Sequence, residues 1–291
     1  MGVRIALAVV IVLLSPAQSL AQQSPAFNER DGQLLNAAYN GDSASVQKLL
    51  LEGAHVDARD VQDGRTALAI AAEAGQTDAA AVLIAKGANL EAKDNFGNTV
   101  LIRAVQHGQA AAVKLLLEKG ANPEASDDGG ETPLMAAAGA YRASAEVTQL
   151  LLEKKVKTEA RDAAGQTALM YAASGGNAGS VRLLLDHGAN IEVKGSDGNT
   201  PLIDAAFDTK IGDAATTLKA LLEAGAKIET RNGAGQTALI AASWSGNTDC
   251  VRLLLERGAD RNAKDRQGKT ALDHARENKR LEVVRLLEHV G

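Results

Sequence analysis

The amino-acid sequence repeats itself with a period of about 33 residues, and this period limits the folds open to the chain more than any other feature. Seven threonines mark the period, and their numbers show that it is nearly constant: Thr66, Thr99, Thr132, Thr167, Thr200, Thr237 and Thr270. A fixed period of this length is typical of arrays in which each copy is one supersecondary unit. The sequence therefore consists mainly of copies of one unit.

Each unit predicts two short helices. The threonine suits a helix N-cap, because its hydroxyl can accept a hydrogen bond from an otherwise unpaired backbone N–H. In units without insertions a Leu-Leu-x-x-Gly-Ala segment follows at a fixed distance, and its glycine, such as Gly120 after Thr99, suits a helix C-terminus. Asp- and Gly-rich turn segments such as 94–97 separate the units. The predicted order is turn, helix, turn, helix.

The Thr-x-Leu-x-x-Ala-Ala and Leu-Leu-x-x-Gly-Ala signatures at this period resemble those of ankyrin repeats. The resemblance covers about residues 29–291, with a divergent first repeat opening at 32–38. It implies an all-α, ankyrin-type solenoid of about eight helix-turn-helix repeats, joined by β-hairpin-like turns and closed by divergent first and last caps. One repeat alone buries too little to offset ~1–2 kcal/mol of backbone entropy per residue. We therefore expect one stacked domain over 29–291.

Two features depart from the family pattern. Lys155 stands where other repeats end their second helix with glycine, and a left-handed backbone there would cost ~1–2 kcal/mol. Two repeats are also longer, by two residues around 141–145 and by four around 208–216, and we predict both insertions between the first and second helices. Insertions in a solenoid often mark the binding rim, but neutral drift in loop length explains them equally well.

Charged residues repeat as well. Eight residues before the threonines stand glutamates: Glu91, Glu124, Glu159, Glu192 and Glu229. Six residues before the threonines stand basic residues: Lys93, Arg161, Lys194, Arg231 and Lys264. We interpret the two rows as a solvated surface of ion pairs, worth ~0–1 kcal/mol per pair.

Residues 1–21 predict a secretory signal peptide that is cleaved after Ala21. They contain one basic residue, an apolar run over 5–14, and a final small-x-small triplet. Ten apolar residues are far fewer than the ~20 that a spanning helix needs, so an uncleaved anchor is the weaker alternative. We expect a short linker over 22–28, no membrane span after cleavage, and a protein that is periplasmic or secreted.

Composition argues against several classes of function. A formal charge of −5 is unlike that of a surface built to bind nucleic acid. The single cysteine, Cys250, excludes an internal disulfide and a Cys-based zinc cluster, and is interpreted as a partly buried free thiol. We expect neither a metal nor a cofactor. Histidines stand in different repeats at no ligand spacing and are interpreted as surface residues: His55, His107, His187, His274 and His289.

No catalytic motif emerges. Gly268-Lys269-Thr270 ends like a phosphate-binding loop, but the glycine required five residues earlier is Ala263. No pattern gathers a nucleophile, a base and an anion hole. We expect that the protein is not an enzyme.

The seven aromatic residues are the sharper indication of function. Tyr39, Phe207 and Trp244 stand seven residues after the threonine position, near the predicted exposed end of the first helix, and Phe96 stands at a hairpin tip. Equivalent positions of neighbouring repeats form a row on the concave side. Phe207 and Trp244 should therefore be neighbours there, and large aromatic side chains on a groove suit a binding hot spot. The alternative is that these two rings only hold the longer insertion in place.

We predict a protein-binding site made of these four aromatic residues, Tyr141 in the first insertion, and a polar rim. The other two aromatic residues, Phe27 and Tyr171, are not assigned to this site. The polar rim residues are Gln106, His107, Ser174, Glu73 and Glu277.

The sequence as a whole predicts a non-catalytic protein–protein interaction module that acts outside the cytoplasm. We expect a monomer whose partner is another protein, bound on the concave face of hairpin tips and first helices. Two alternatives remain: a structural or protective envelope protein without a fixed partner, and an enzyme accessory subunit.

Overall fold

The computed structural model describes residues 28–139, 145–207 and 213–289. Within these ranges it has eight helix pairs and no extended strand, which confirms the all-α prediction. The first helices are α1 (Glu29–Asn40), α3 (Ala67–Glu73), α5 (Val100–Gln106), α7 (Pro133–Gly139), α9 (Ala168–Ser174), α11 (Pro201–Ala206), α13 (Ala238–Ser245) and α15 (Ala271–Glu277). The second helices are α2 (Ser43–Leu51), α4 (Thr77–Ala85), α6 (Ala110–Glu118), α8 (Ala145–Leu152), α10 (Ala178–Asp186), α12 (Ala214–Glu223), α14 (Thr248–Glu256) and α16 (Leu281–His289).

Each helix packs against its partner in the same repeat and against the equivalent helix of the next repeat. The buried side chains therefore form one continuous core from Leu34 in α1 to Leu287 in α16. Most core residues are Ala, Leu, Val and Ile, whose small volumes let the short helices lie close together. This packing of equivalent helices from successive repeats is the solenoid arrangement that the repeat period predicts.

The repeating threonines cap most of the first helices. Thr167 and Thr200 differ, because their Oγ1 atoms are buried without a hydrogen-bond partner in the described part of the chain. Their φ angles, −105° and −98°, are more extended than the −73° of Thr99, and the hydroxyl makes no cap bond. The side-chain cap prediction is therefore wrong for these two. The capping hydroxyls accept a backbone N–H three residues on, at 3.3–3.4 Å, in five repeats: Thr66, Thr99, Thr132, Thr237 and Thr270.

Two lysines have a left-handed backbone. Lys155 has φ 56°, so the left-handed backbone that the sequence raised for this position is present, as at Gly120 of the preceding repeat with 93°. Lys279, between α15 and α16, also has φ 56°, at the place where the third repeat has Gly108. Both lysines adopt a conformation that suits glycine and is strained for a residue with a Cβ atom.

The two charged rows do not form the expected ion pairs with each other. Each glutamate instead accepts a hydrogen bond from a backbone N–H of the next repeat, at 2.7–2.9 Å. Arginines of the basic row bond to backbone carbonyls: Arg161 Nη1 donates to Gly165 O at 2.7 Å and to Lys194 O of the next repeat at 2.8 Å. The two rows therefore do not pair with each other, and in the described chain the ion-pair interpretation holds only for Glu124 with Lys157 at 3.3 Å and Lys93 with Asp128 at 3.9 Å.

Both insertions lie between a first and a second helix, as the sequence predicts. α7 ends at Gly139 and α8 begins at Ala145, while α11 ends at Ala206 and α12 begins at Ala214. The predicted signal peptide, residues 22–27 of the predicted linker, and Tyr141 lie outside the described residues. None of the helices in the described ranges combines the length and the apolar character that crossing a membrane requires.

Candidate protein-binding surface

The first helices and the turns that precede them, such as 94–98, form one side of the stack, here called the first-helix face. Equivalent residues at the C-terminal ends of these helices line up across the repeats, because each first helix packs on the next. We call this file of side chains the end row. Its members are Tyr39, Glu73, Gln106, Gly139, Ser174, Phe207, Trp244 and Glu277.

Phe207 and Trp244 meet in the end row. Their ring centroids lie 6.1 Å apart and the ring planes cross at 78°, an edge-to-face contact. Phe207 is half-buried and packs on the core, whereas 46% of Trp244 is exposed. The prediction that the two rings are neighbours is confirmed, and the contact holds a large apolar ring in a fixed orientation at the surface.

Polar groups surround the exposed ring of Trp244. A cleft of about 320 Å³ runs from Trp244 to His274 and is bordered by the ion pair between Lys269 Nζ and Glu277 Oε2, at 2.7 Å. On the next repeat Arg280 Nε donates to the backbone carbonyl of Trp244 at 3.3 Å. An apolar ring beside a polar cleft is the usual make-up of a binding anchor and its rim.

A second cleft lies near the other end of the stack. Tyr39, 62% exposed, and His107 both line this cleft of about 490 Å³. His107 Nε2 lies 3.4 Å from Glu73 Oε1, and the same oxygen pairs with Arg65 Nη1 at 3.1 Å. The structure thus brings the predicted Tyr39, Glu73 and His107 together, although they come from three different repeats.

Phe96, at a hairpin tip, is 59% exposed, and its ring lies under the Arg103 guanidinium, whose central carbon is 5.8 Å from the ring centroid. Arg103 Nε also donates to Asp94 Oδ2 at 2.6 Å. Burial acts to raise the pKa of Asp94, but hydrogen bonds from Phe96 N, Asn98 N, the Asn98 side chain and Arg103 outweigh it and lower the pKa. Gln106 joins the same group by donating to Asn98 Oδ1 at 3.3 Å.

Ser174, an exposed member of the end row, donates its hydroxyl to Tyr171 O at 3.2 Å. The Tyr171 ring lies over Gly139, where an added Cβ would come within 2.9 Å of Tyr171 Cδ1. The end row therefore has no side chain of its own at Gly139, because the tyrosine of the next repeat occupies that space.

Comparison with known protein families agrees with this architecture. A family model described as "Ankyrin repeats (3 copies)" matches residues 34–127, 134–232 and 202–291, and a second, "Ankyrin repeats (many copies)", matches 111–152. The chain belongs to the ankyrin repeat family. No curated protein sequence matches it. Ankyrin repeats in this number imply a protein–protein interaction module.

The ankyrin repeats also form a second file of side chains that the sequence analysis missed, four residues after each threonine. Tyr171 OH donates to Asp162 Oδ2 at 2.9 Å, and His274 Nε2 lies 2.7 Å from Asp265 Oδ2. Arg103 makes the equivalent contact with Asp94 in the third ankyrin repeat. Each of these side chains fastens the first helix to the turn before it.

His274 is therefore not a surface residue, and that interpretation is wrong. Its side chain is 8% exposed, because the ring fills the space between α15 and the preceding turn while its nitrogen meets the Asp265 carboxylate. Burial acts to raise the pKa of Asp265, but the His274 hydrogen bond and two backbone hydrogen bonds outweigh it and lower the pKa.

The sixth ankyrin repeat reverses the arrangement. The acid, Asp204, is on the helix, and Gly195 stands where four other repeats have the turn aspartate: Asp94, Asp127, Asp162 and Asp265. Asn199 Nδ2 donates to Asp204 Oδ1 at 2.9 Å, whereas Asp204 Oδ2 is buried and has no partner among the described residues. Burial raises the pKa of Asp204 to about 7, with a further contribution from Asp197 and an opposing one from the Asn199 hydrogen bond.

The signal for this file was present in the sequence but obscured. Three of its seven positions hold apolar side chains, Ile70, Ala136 and Ala241, so the position fits a core pattern. Only the recurrence of a polar partner nine residues upstream in three repeats distinguishes it, as in Tyr171 with Asp162.

Proposed function

We propose that this ankyrin repeat protein acts outside the cytoplasm as a monomeric, non-catalytic module that holds another protein against its first-helix face, with Phe207 and Trp244 at the centre of the contact. The observation that carries this proposal is the exposed indole of Trp244, which makes an edge-to-face contact with Phe207 at a centroid distance of 6.1 Å. Large rigid aromatic side chains are enriched among the residues that supply most of the binding energy at protein interfaces.

Pre-organisation is the physical reason for choosing this pair over the other exposed aromatic residues. Tyr39 and Phe96 expose 62% and 59% of their surface, and neither makes an aromatic contact in the described chain. The indole of Trp244 is already ordered by Phe207, so binding costs less side-chain entropy there than at Tyr39, which has no such contact. The Phe96 ring is also held, but the Arg103 guanidinium already covers its face. The contact also argues that Phe207 does more than hold the insertion that follows it.

The chemistry of the single thiol supports a non-catalytic role. Cys250 is fully buried in α14, and burial raises its pKa to about 12, with smaller contributions from Asp249 and Asp213. A thiol with this pKa is not ionised near neutral pH and is a poor nucleophile. The location outside the cytoplasm rests on the leader-like sequence of residues 1–21.

An affinity capture experiment tests the proposal. The mature chain, immobilised and exposed to an envelope extract of the source organism, is compared with the double variant Phe207→Ala/Trp244→Ala. A matched control is Leu51→Ala/Leu281→Ala, which removes two exposed apolar side chains from second helices. We expect the control to capture the same partners as the native chain and the aromatic variant to lose them.

Equal capture by both folded variants would show that the aromatic pair is not the anchor. If the native chain captures no protein above background, the alternative of an envelope protein without a fixed partner is favoured. Circular dichroism of each variant confirms that the helices are intact.

A further inference from the structure

Five carboxylates on the first-helix face of the middle repeats have no ion-pair partner in the described chain. These five acids form no ion pair with a Lys, Arg or His side chain of the described ranges. By contrast, Asp94 and Asp265, nearer the ends of the same face, are paired. The unpaired residues come from the fourth, fifth and sixth repeats: Asp127, Glu131, Asp162, Asp197 and Asp204.

These carboxylates lie close enough to affect one another. Glu131 is half-buried, and burial together with the charges of Asp127 and Asp162 raises its pKa. The hydroxyl of Tyr171 donates to Asp162 at 2.9 Å, and the tyrosine ring lies over Gly139 at the end of α7. Two successive repeats thus place three carboxylates around one tyrosine.

Asp204 provides a separate observation on this face, because one of its carboxylate oxygens lacks a hydrogen-bond donor in the described chain. Only 7% of the residue is exposed, and its Oδ2 atom has no hydrogen-bond partner in the described chain. Its other oxygen is bound by Asn199, and its charged neighbour is Asp197, another acid. Burial of this oxygen without a donor disfavours the ionised carboxylate, and a cation held against this face by a docked segment would favour it.

The cations nearest in sequence are engaged elsewhere. Arg161 donates to the carbonyls of Gly165 and Lys194, and Lys194 Nζ donates to Arg231 O at 2.9 Å. These side chains join turns of successive repeats, and neither forms an ion pair with the acids beside it.

We propose that the segment of the partner protein that docks on the first-helix face is basic, an extended stretch with arginine or lysine side chains directed at the acids of the fourth to sixth repeats and at the ring of Trp244. This inference rests on the proposed function, because it gives the chemistry of the partner at the same surface. Complementary charge gives such a contact its specificity and its rate of association.

The spread of the acids favours a chain over a single ion. They come from three successive repeats, and within the described residues no group of three or more His, Cys, Asp or Glu side chains is placed to hold a metal ion. An extended segment can meet several separated charges at once. Trp244 adds a face on which a guanidinium or ammonium group can lie, an attraction of ~0.5–2 kcal/mol.

Fluorescence anisotropy tests the inference with a labelled peptide of alternating arginine and glycine, beside a peptide with glutamate in place of arginine. The acid variant is Glu131→Gln/Asp162→Asn/Asp197→Asn. Its matched control, Glu118→Gln/Glu153→Gln/Asp186→Asn, removes the same charge from exposed positions at the ends of second helices. We expect the native chain to bind only the arginine peptide.

We expect the acid variant to bind the arginine peptide at least about tenfold more weakly, and the control to change affinity by less than about twofold. Trp244→Ala should weaken binding by about threefold. Equal weakening in the acid variant and its control would attribute binding to net charge, and would overturn the inference, as would no binding to the native chain.

The same variants separate this inference from the proposed function. If Phe207→Ala/Trp244→Ala loses the captured partners while the acid variant retains both its partners and its peptide affinity, the surface binds protein but not through a basic segment. If neither variant affects capture, the proposed surface itself is wrong.

Discussion

The Glu192 carboxylate accepts a hydrogen bond from the backbone N–H of Lys227, one repeat further along, across 2.7 Å. Its second oxygen accepts the Thr230 hydroxyl at 3.0 Å. The equivalent glutamates of other repeats make the same backbone contact. These side chains therefore act as bridges between repeats, and the stack is held together by charge-assisted hydrogen bonds as well as by its apolar core.

Removing one bridge should weaken the stack. We expect Glu192→Ala to lower the free energy of unfolding by about 1–2 kcal/mol, because it leaves the Lys227 N–H without its charged acceptor. Glu256→Ala, at the exposed end of α14, is the control and should change stability by less than about 0.5 kcal/mol. Urea denaturation measures both, and equal effects would mean that the contact contributes nothing.

The two left-handed lysines offer a gain in stability. We expect Lys155→Gly and Lys279→Gly each to stabilise the protein by ~1 kcal/mol, because glycine adopts φ near +56° without steric cost. Lys154→Gly serves as the control, since its φ is not positive, and it should be neutral or destabilising. Thermal or urea denaturation of the three variants and the native chain measures the change in stability. No gain at Lys155 or Lys279 would show that these backbone conformations are not strained.

Asp204 should make stability depend on pH. Its pKa is about 7 in the folded protein and 3.8 in the absence of burial, so the folded state retains a proton that the unfolded chain releases. Stability is therefore highest below about pH 4 for this group and falls as the pH rises towards 7, by up to about 4 kcal/mol. The physical reason is that the carboxylate is buried with one oxygen unpaired.

The variant Asp204→Asn isolates this effect. It keeps the shape of the side chain without the charge, so it should be more stable than the native chain at pH 8 and similar to it near pH 4. Urea denaturation at several pH values gives the difference. A difference that does not vary with pH would contradict the burial of a charged carboxylate at this position.

The thiol of Cys250 should be inert in the folded protein. It is completely buried and its pKa is raised to about 12, so almost no thiolate exists at pH 8. We expect a thiol-reactive chromogenic disulfide to leave the native chain unmodified and to react at once in urea. Rapid labelling of the native chain would show that α14 opens readily.

Much of this arrangement could be predicted from the sequence because it follows from local chemistry repeated at a fixed period. The helix pairs, the left-handed Lys155 and the meeting of Phe207 with Trp244 all depend on the register of equivalent positions in stacked repeats. A period fixes that register without any knowledge of distances.

The errors concern side chains whose partner lies in another turn or repeat. A glutamate such as Glu192 can pair with a neighbouring cation or with a backbone N–H, and only the three-dimensional spacing of repeats selects the latter. The interpretation of His274 as a surface residue is wrong for a similar reason. Its partner Asp265 is nine residues away, and their contact depends on how the turn folds back on α15. The repeat pattern of the sequence gives the position of such a residue but does not identify its hydrogen-bond partner.

The most direct test of the central claim uses the single tryptophan of the chain, Trp244. The protein is labelled with 5-fluorotryptophan, and fluorine NMR records one resonance while an unlabelled captured partner is added. We expect this resonance to shift or broaden in proportion to the bound fraction, because docking buries the exposed indole. A resonance that stays unchanged when the protein is saturated with partner would contradict binding at this surface.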